Sequence, residues 1–367
     1  MSPRMLKLAD IVYRCYPLRV LAVMFYLAPQ RVKDPSYYPE RKRKSAVRRY
    51  LELVWSAIKT GDYGKFYNPY GFDLVGCKNQ KEYMLEPEFW KKIIPLNYRG
   101  EINQSVILRD KLLFWAVMSK FGIPTPEVVA YVRRGHLFIR EHECELSQWI
   151  NALQNLKFPL FLKATDEACG RSVYKLTRTG GVIQCDGKPF DFSNVFSHRG
   201  EFIVQETICN HESLATVYPK SLNTARLITV WNKQTDRPEL FTQFMRIGAN
   251  GNSVDNWAVG GLLFSLSAKG EIGAWGWFKD KKYGGTKVDR HPETSVRFEG
   301  LKVPDYDKAL ALALRAHECL PQVKSIGWDM AFTPDGPVII EGNDNWEIAP
   351  SQIVNGGLAV VARKVFK

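Results

Sequence analysis

The 367-residue chain lacks the features that mark several common protein classes. Its seven cysteines form no CxxC pair and no cluster with histidine at metal-ligand spacing, so neither a zinc site nor a disulfide scaffold is predicted. It contains no internal repeat and no low-complexity tract. What it does have is 45% hydrophobic and 13% aromatic residues, which predicts a folded core divided into two or three lobes.

The N-terminal region also lacks a long hydrophobic run. The uninterrupted apolar stretch 20–28 is far shorter than the roughly 18 residues needed to cross a bilayer. Asp10, Arg14 and Arg19 interrupt the pattern of a secretory signal, so we expect a cytoplasmic protein, in agreement with the unpatterned cysteines. Residues 1–60 combine aromatic and basic residues in helical patterns. Peripheral contact with the inner face of the membrane is therefore an alternative to packing against the rest of the protein.

The chain is basic, with 51 Lys and Arg residues against 38 Asp and Glu residues and a net charge of +13. The densest basic segment is residues 41–44, followed by Arg48 and Arg49. No RNP, zinc-finger or helix-turn-helix signature accompanies this charge, so nucleic acid is not a predicted partner. An anionic substrate, nucleotide phosphate, an anionic lipid surface and a merely solvated basic helix are the alternatives.

Residues 327–343 place three oxygen ligands on one face of a predicted hairpin. Two alternating runs flank Pro334-Asp335-Gly336, a turn signal with a glycine available for positive φ. A three-residue loop centred on Asp335 sets Asp329 directly opposite Glu341, and the alternation of side chains puts Asn343 on the same face. The side chains predicted to point into the core are Trp328, Met330, Phe332, Val338 and Ile340.

Two carboxylates opposed in this way repel each other, because their Cβ atoms lie roughly 4.5–5.5 Å apart. A divalent cation removes that repulsion, and carboxylate and amide oxygens are the ligands that Mg²⁺ prefers. We therefore predict that Asp329, Glu341 and Asn343 bind Mg²⁺. A solvated acidic face is the alternative, since a register slip of one residue would separate the three groups.

An aspartate on one strand followed by Glu-x-Asn on the next resembles the metal-binding end of the ATP-grasp fold. The segments NTARLIT, VDNWAVGG, HPET and EGNDNW are similar to those of sugar-transfer-associated ATP-grasp proteins. That branch is related to glutamate ligases and linked with bacterial surface polysaccharide assembly. The resemblance covers roughly residues 98–355. It implies an α+β fold in which two α+β lobes grip ATP, here preceded by a helical N-terminal region.

The order of predicted helices and strands suggests three parts. Residues 1–97 form a helical and basic N-terminal region, residues 98–206 the first ATP-grasp part with a phosphate-covering lobe, and residues 207–367 the C-terminal catalytic lobe. Periodicity and caps predict helices over 45–60, 109–121 and 304–320 and strands over 158–163, 172–176 and 201–206. Strands, then a helix, then strands indicate α+β lobes and not a doubly wound parallel sheet.

The resemblance implies that two lysines contact the phosphates of ATP. Lys111 follows Arg-Asp ahead of a helix and GIPTPE, although an ordinary surface lysine would also fit this position. Lys163 ends a strand, and the following loop would close its backbone N–H groups and Arg171 over the triphosphate. The loop departs from the family pattern at Ala168, Cys169 and Ser172.

Further nucleotide contacts are implied at the hinge between the lobes. Gln205 and Glu206 end a predicted strand where adenine is recognised in the family. His211 or Glu212 would reach the ribose. The alternative is that these are ordinary polar residues following a strand.

Arg226 is a lone cation in an apolar strand pattern, and a guanidinium group leaving a buried strand needs an anionic partner. In related ligases a similar arginine contacts the transferred phosphate or the acyl intermediate, so Arg226 and Lys163 are expected to be catalytic. A structural salt bridge is the alternative for Arg226. Asn256 and His291 are assigned to substrate binding, with a tight turn and a capping or packing histidine as alternatives.

These residues together predict an ATP-dependent carboxylate–amine ligase with one or two Mg²⁺ ions. The carboxylate takes the γ-phosphate of ATP to give an acylphosphate, and an amine then displaces phosphate. No protein nucleophile is required, in agreement with the lack of a Ser/His/Asp or Cys/His set. The family context implies as donor a uronic acid or related carboxylate of a glycan or its precursor, in capsule or exopolysaccharide biosynthesis.

Two alternative functions are open. A kinase of the same fold would phosphorylate a sugar or lipid-linked hydroxyl, and it would need a base near the acceptor, for which His291 or Asp255 is a candidate. A non-catalytic scaffold of a polysaccharide complex is the other, although the presence of all three metal-ligand types argues against a decayed site.

Overall fold

The computed structural model describes residues 15–77, 79–140, 142–166, 173–193, 196, 201–279 and 287–366. Within these ranges the α-helices are α1 (Tyr16–Ala22), α2 (Ala28–Lys33), α3 (Ala46–Thr60), α4 (Glu86–Lys92), α5 (Ser105–Arg109), α6 (Lys111–Lys120), α7 (Leu146–Gln154), α8 (Glu212–Ala215), α9 (Tyr306–Glu318), α10 (Ile348–Asn355) and α11 (Ala359–Val365). A π-helical segment, Val23–Leu27, joins α1 to α2. Across the described residues, no helix has the length and apolarity to cross a membrane.

The strands are β1 (Val128–Arg133), β2 (His136–Ile139), β3 (His142–Cys144), β4 (Leu160–Ala164), β5 (Val173–Thr179), β6 (Val182–Cys185), β7 (Lys188–Pro189), β8 (Phe202–Glu206), β9 (Thr224–Asn232), β10 (Arg237–Ile247), β11 (Leu262–Ser265), β12 (Gly276–Trp277), β13 (Lys287–Val288), β14 (Ser325–Thr333) and β15 (Gly336–Asn343). They form two sheets with the orders β3-β2-β1-β8-β4-β5-β6-β7 and β13-β12-β11-β10-β9-β14-β15. Neighbouring strands in both sheets are antiparallel. This architecture confirms the predicted α+β class.

The seven-stranded sheet supports the larger core on one of its faces. Trp328 and Met330 of β14 are fully buried there, together with side chains from β9, β10 and β11. Helix α9 covers this face through Ala309, Ala313 and Ala316, all of them buried. Because alanine side chains are small, the helix axis lies close to the sheet and the large Trp and Met side chains fill the space between.

The N-terminal region covers the opposite face of the same sheet. Leu53 of α3, Phe66 and Phe89 of α4 are buried in one cluster with Ile228 of β9 and Trp346. Residues of the N-terminal region therefore complete the core of the C-terminal lobe. These inward-facing side chains agree with one of the two alternatives for this region, packing against the rest of the protein.

Helix α3 begins and ends where the sequence predicts. The Ser45 hydroxyl accepts a hydrogen bond from the main-chain N–H of Arg48 at 3.3 Å, which caps the first turn. Gly61 ends the helix with φ +74°, a left-handed conformation that glycine adopts without strain.

The densest basic segment divides between the interior and the surface. Lys44 is buried, and its ammonium group donates to Glu52 Oε2 at 2.7 Å. Arg43 Nε donates to Asp73 Oδ2 at 2.7 Å. The first two residues of the segment are exposed. Only part of this charge is therefore available to an external partner.

Helix α6 packs against both sheets. The predicted helix over 109–121 is interrupted at Asp110, whose carboxylate caps α6 by accepting from two main-chain N–H groups at 2.9 Å. Leu112 packs with side chains of β1 and β8 in the first sheet. Phe114 and Met118 join the core of the second sheet. The helix is apolar on both sides because it contacts both lobes.

The first sheet builds its own smaller core against α7. Trp149 and Leu153 of α7 are buried with Leu160 and Leu162 of β4. Because side chains alternate along a strand, Lys163 lies on the opposite face of β4 from this core. Residues 167–172, which include Arg171 and most of the predicted phosphate loop, lie outside the described residues.

Candidate functional site

The hairpin of β14 and β15 pairs the residues that the sequence predicts. Asp329 lies opposite Glu341, and Gly327 lies opposite Asn343. The loop differs from the prediction: Thr333 pairs with Gly336, so the turn has two residues, Pro334 and Asp335.

A β-bulge compensates for the shorter loop. The register shifts between Asp329 and Met330, so that Met330 pairs with Ile339 and Ile340 becomes the extra residue. Ile339 is therefore buried, and the predicted core positions of Val338 and Ile340 were wrong. The bulge restores the opposition of Asp329 and Glu341.

The three predicted metal ligands converge on one face of this hairpin. Asn343 Nδ2 donates a hydrogen bond to Glu341 Oε1 at 3.1 Å. Asp329 is buried, and Glu341 and Asn343 are half-buried. Burial and the charge of Asp329 raise the pKa of the Glu341 carboxyl above its ordinary value. The ionised form of Glu341 is therefore disfavoured at this point of the sheet.

Arg226 lies on β9, the strand next to β14, and extends the group of charged side chains on this face. It lies directly opposite Asp329, and its guanidinium group donates to Asp329 Oδ1 and, at 2.9 Å, to Oδ2. Gly327 makes room for it, because a Cβ atom there would lie 3.2 Å from Arg226 Cδ and 2.8 Å from the Cβ atom of Trp346. Asp329 is thus the anionic partner that the buried guanidinium group of Arg226 needs.

Arg246 of β10 is a second arginine of the site, and it is not among the residues predicted from the sequence. Its Nη2 atom lies 2.9 Å from Asp329 Oδ2 and donates to Thr224 Oγ1 at 2.6 Å, while its Nε atom lies 3.6 Å from Asp255 Oδ2. Burial acts against the charge of Asp329, but Arg226 and Arg246 hold its pKa well below the ordinary value. A lone cation in an apolar strand pattern, the signal used for Arg226, was also present at Arg246.

Two lysines approach the same carboxylates from the first lobe. Lys163 Nζ donates to Gln205 Oε1 at 2.9 Å. Burial, with a smaller contribution from Lys111, lowers the pKa of Lys163 to about 8 against the opposing effect of Glu341. Lys111 itself is held by its main-chain N–H, which donates to Thr165 O at 3.0 Å. Lys163 therefore interacts electrostatically with Glu341 on one side and with Lys111 on the other.

The donor set of this face fits Mg²⁺. Asp329, Glu341 and Asn343 offer only oxygen ligands, and the raised pKa of Glu341 reflects a charge that a divalent cation would balance. In the part of the chain that the structure describes, no group of three His, Cys, Asp and Glu side chains gathers at metal-binding distance. Asn343 is thus needed to complete a three-ligand set here.

Comparison with known families identifies the family to which the chain belongs. A model of the sugar-transfer-associated ATP-grasp family matches residues 94–366. The chain belongs to this family. The match spans both sheets and includes every site residue described above, and it confirms the resemblance noted in the sequence. No curated protein sequence matches the chain.

Solved structures similar to this ATP-grasp protein include three enzymes. They are the D-alanine-D-alanine ligase from Coxiella burnetii (12% identity, covering 73% of this chain and 59% of that chain, TM-score 0.41), the VanG D-Ala:D-Ser ligase from Enterococcus faecalis (14%, 72% and 63%, TM-score 0.41) and the N5-carboxyaminoimidazole ribonucleotide synthetase from Thermotoga maritima (15%, 65% and 42%, TM-score 0.35). The chain spans less than half the length of that synthetase and 46% of another, crystallised as an ADP complex. Because these TM-scores are low, family membership rests on the sequence match.

The residues of the ATP-grasp protein that the sequence predicts at a hinge differ in their surroundings. Gln205 is buried, accepts from Lys163 and donates to Pro126 O at 3.3 Å, so its side chain positions the lysine. Glu206 is exposed at the end of β8. His211 caps the short helix α8 by accepting from Ser213 N at 3.3 Å, and the next residue, in the first turn, is the exposed Glu212.

The two residues assigned to substrate binding occupy structural positions. Asn256 Oδ1 accepts from Ala258 N at 2.8 Å and so caps a 3-10 turn, as in the tight-turn alternative. His291 is 1% exposed, its Nε2 atom lies 2.8 Å from Gly248 O, and its Nδ1 atom accepts from Glu293 N at 3.3 Å. Burial lowers the pKa of His291. The packing alternative describes this histidine, and we leave it out of the site.

Proposed function

We propose that this ATP-grasp protein is an ATP- and Mg²⁺-dependent carboxylate–amine ligase. One observation carries the proposal: Lys111, Lys163, Glu341, Asp329 and Arg226 form a continuous row in which each charged group interacts with the next. Cations from the first lobe meet carboxylates of the second lobe, an arrangement suited to a polyphosphate bound with metal between two lobes.

In the proposed reaction a carboxylate oxygen of the substrate attacks the γ-phosphorus of ATP. The bond from that phosphorus to ADP breaks, which leaves an acylphosphate. The amine nitrogen then attacks the acyl carbon, inorganic phosphate leaves, and the nitrogen loses a proton. Lys111 and Lys163 neutralise the phosphates, and Arg226 and Arg246 stabilise the negative charge that moves to the transferred group.

Asp329, Glu341 and Asn343 are the residues that would hold one or two Mg²⁺ ions. When bound, the metal neutralises phosphate charge and orients the transferred group. The two arginines leave lone pairs free on the Asp329 carboxylate, which has about four acceptor sites.

The surroundings of two side chains favour the ligase over a kinase. Asp255 Oδ2 accepts from Thr224 N at 2.9 Å and from the Thr224 hydroxyl at 2.5 Å, and it faces Arg246. His291, the other candidate base, is buried with both ring nitrogens bonded. These contacts within the protein do not favour either side chain as the base that a kinase needs, whereas the ligase reaction needs no such base in its first step.

The family's association with sugar transfer supports a carboxylate carried on a sugar. A uronic acid in a surface polysaccharide or its precursor, amidated with an amine, fits this description. The net charge of +13 supports an anionic substrate of this kind.

The proposal is tested by measuring ADP release over a matrix of uronic acids and amines, with products identified by mass spectrometry. We expect ADP, free phosphate and an amide only when both substrates are present, and none with Glu341→Gln. Phosphate retained on the acceptor would identify a kinase. Wild-type protein that binds no ATP with Mg²⁺ would identify a non-catalytic scaffold.

For the location of the protein, we propose peripheral contact with an anionic membrane through α1 and α3. Tyr16 donates to Ile58 O, and Tyr50 donates to Met24 O at 3.2 Å, so α1 and the π-helical segment after it run antiparallel to α3. A stripe of four apolar residues on α3 points outward, with exposures between 42% and 70%: Val47, Leu51, Trp55 and Ile58. Their spacing places them on one helix face.

The charge around this stripe favours anionic lipid as its partner. Residues 15–60 contain ten Lys and Arg residues and three Asp and Glu residues. Phe25, 75% exposed, adds an aromatic anchor on the neighbouring helix segment. Apolar and aromatic side chains beside lysine and arginine are typical of helices that lie in the membrane interface.

Flotation with lipid vesicles tests this contact. We expect the protein to float with vesicles containing phosphatidylglycerol, less with pure phosphatidylcholine, and less at high salt. Trp55→Glu should abolish flotation, whereas Val360→Glu, at an equally exposed apolar position on α11, should not. A concentration-dependent dimer broken by Trp55→Glu would instead assign the stripe to a second copy and overturn the proposal.

A further inference from the structure

The hydroxyl group of Thr165 is buried next to the lysines of the site without a hydrogen-bond partner. Thr165 is 2% exposed, and its Oγ1 atom is one of the few buried side-chain polar atoms of the described residues that lack a partner. Buried hydroxyls in folded proteins are nearly always bonded, so an exception calls for an explanation. A ligand that supplies an acceptor is one such explanation.

The backbone places Thr165 on the same side of the first sheet as Lys163. Lys163 pairs with Ile203 of β8, and the main-chain N–H of Thr165 donates to Glu201 O at 3.3 Å, which continues the pairing one residue beyond β4. Residues two apart along a strand share a face. Thr165 therefore follows Lys163 on the face that lies away from the core of the first lobe.

Lys111 lies on the other side of Thr165. The main-chain carbonyl of Thr165 accepts from the main-chain N–H of Lys111 at 3.0 Å and from its ammonium group at 3.5 Å. Thr165 thus has two lysines as neighbours: Lys111, bonded to its main-chain carbonyl, and Lys163, two residues earlier on the same face of the strand. A cationic ligand is excluded there by charge, and a group that accepts hydrogen bonds and carries negative charge is favoured.

We propose that Thr165 Oγ1 donates a hydrogen bond to a phosphate oxygen of the bound nucleotide, in a subsite completed by Lys111 and Lys163. This inference rests on the proposed function, since it assigns a further ligand to the same nucleotide. The hydroxyl supplies a directed donor, whereas the two ammonium groups supply point charges. The subsite therefore fixes the orientation of one phosphate as well as neutralising it.

Two substitutions separate the hydroxyl from the packing of the side chain. Thr165→Val keeps the shape and removes the donor, and Thr165→Ser keeps the donor. We expect Thr165→Val to weaken the binding of ATP, measured by calorimetry with Mg²⁺, by about tenfold, as for one charge-assisted hydrogen bond. Thr165→Ser should bind within about twofold of the wild type.

The melting temperature of the ligand-free protein supplies a second readout. Because the hydroxyl lacks a partner, Thr165→Val should leave this temperature unchanged or raise it. A lower melting temperature, equal ATP binding by Thr165→Val, or an equal loss in Thr165→Ser would each overturn the inference.

Measurements with ADP, AMP and the donor carboxylate identify the bound group. A loss for ATP and ADP but not for AMP assigns the hydroxyl to a phosphate beyond the first. A change confined to the KM of the carboxylate would overturn the assignment to the nucleotide. If the wild-type protein binds no ATP, the proposed function itself fails, an outcome distinct from a wild type that binds ATP as tightly as Thr165→Val.

Discussion

Arg226 on β9 lies directly opposite Asp329 on β14, and its guanidinium group donates to both oxygens of that carboxylate. Arg246 contacts the same carboxylate from β10. This pair joins neighbouring strands at the centre of the site, so its charges contribute both to stability and to the proposed reaction.

Removing the carboxylate should therefore destabilise the protein. We expect Asp329→Asn to lower the free energy of unfolding by about 3–5 kcal/mol, because two buried guanidinium groups lose their anionic partner. Urea denaturation measures the change. The double variant with Arg226→Met is the control: it should lose less than the sum of the two single changes, and strict additivity would contradict the pairing.

Replacing Glu341 should have the opposite effect on the ligand-free protein. Burial and Asp329 raise the pKa of Glu341, so its ionised form subtracts stability above that raised pKa, and this loss disappears as the pH falls below the ordinary value. Glu341→Gln should therefore melt at a higher temperature at neutral pH and show a smaller gain on acidification. The same variant should lose Mg²⁺-dependent ATP binding. A lower melting temperature at neutral pH would contradict this account.

The pairing of Asp329 with Glu341 was predictable from the sequence because alternation and a turn signal fix it to within one residue. The two-residue turn and the bulge at Ile340 were not predictable, because they compensate each other and leave the same residues opposed. The core position of Ile339 follows from that bulge alone. In this hairpin the pairing of Asp329 with Glu341 was therefore easier to predict than the pairing beside the turn.

Lys163 should make nucleotide binding sensitive to alkaline pH. Its pKa is lowered to about 8 by burial, with Lys111 adding to the shift, so the free protein loses this positive charge above about that pH. The Kd of ATP should rise with pH above this value, by up to about tenfold per unit. Isothermal calorimetry between neutral and alkaline pH measures the slope. Lys163→Arg should remove it, since a guanidinium group stays charged, and a flat wild-type profile would contradict the prediction.

Gly327 should not tolerate a side chain. A Cβ atom there would lie 2.8 Å from Trp346 Cβ and 3.2 Å from Arg226 Cδ, so the arginine or the strand must shift. We expect Gly327→Ala to cost about 1–3 kcal/mol and to lower kcat by displacing Arg226 from Asp329. Gly300→Ala, at a surface position with open space around it but with φ +84°, tests a purely local backbone strain without contact to the site. Wild-type kcat in Gly327→Ala would contradict the role assigned to the arginine.

The parts of the site that depend on contacts between distant segments could not be predicted from the sequence. Arg246 carries the same signal as Arg226, but only the pairing of β9 with β10 shows that both reach Asp329. His291 lies in a motif of the family, yet its burial against Gly248 O gives it a structural role. Motif order therefore predicted the family and the fold, whereas the surroundings of each polar residue depend on contacts that only the folded chain shows.

Helix α6 has apolar contacts with both sheets and carries Lys111 at its first turn. Any rotation of one lobe against the other must therefore move this helix relative to at least one sheet. Lys111 moves with the helix, so in the proposed mode of ATP binding a closing movement of the lobes would also move this positive charge toward the phosphates.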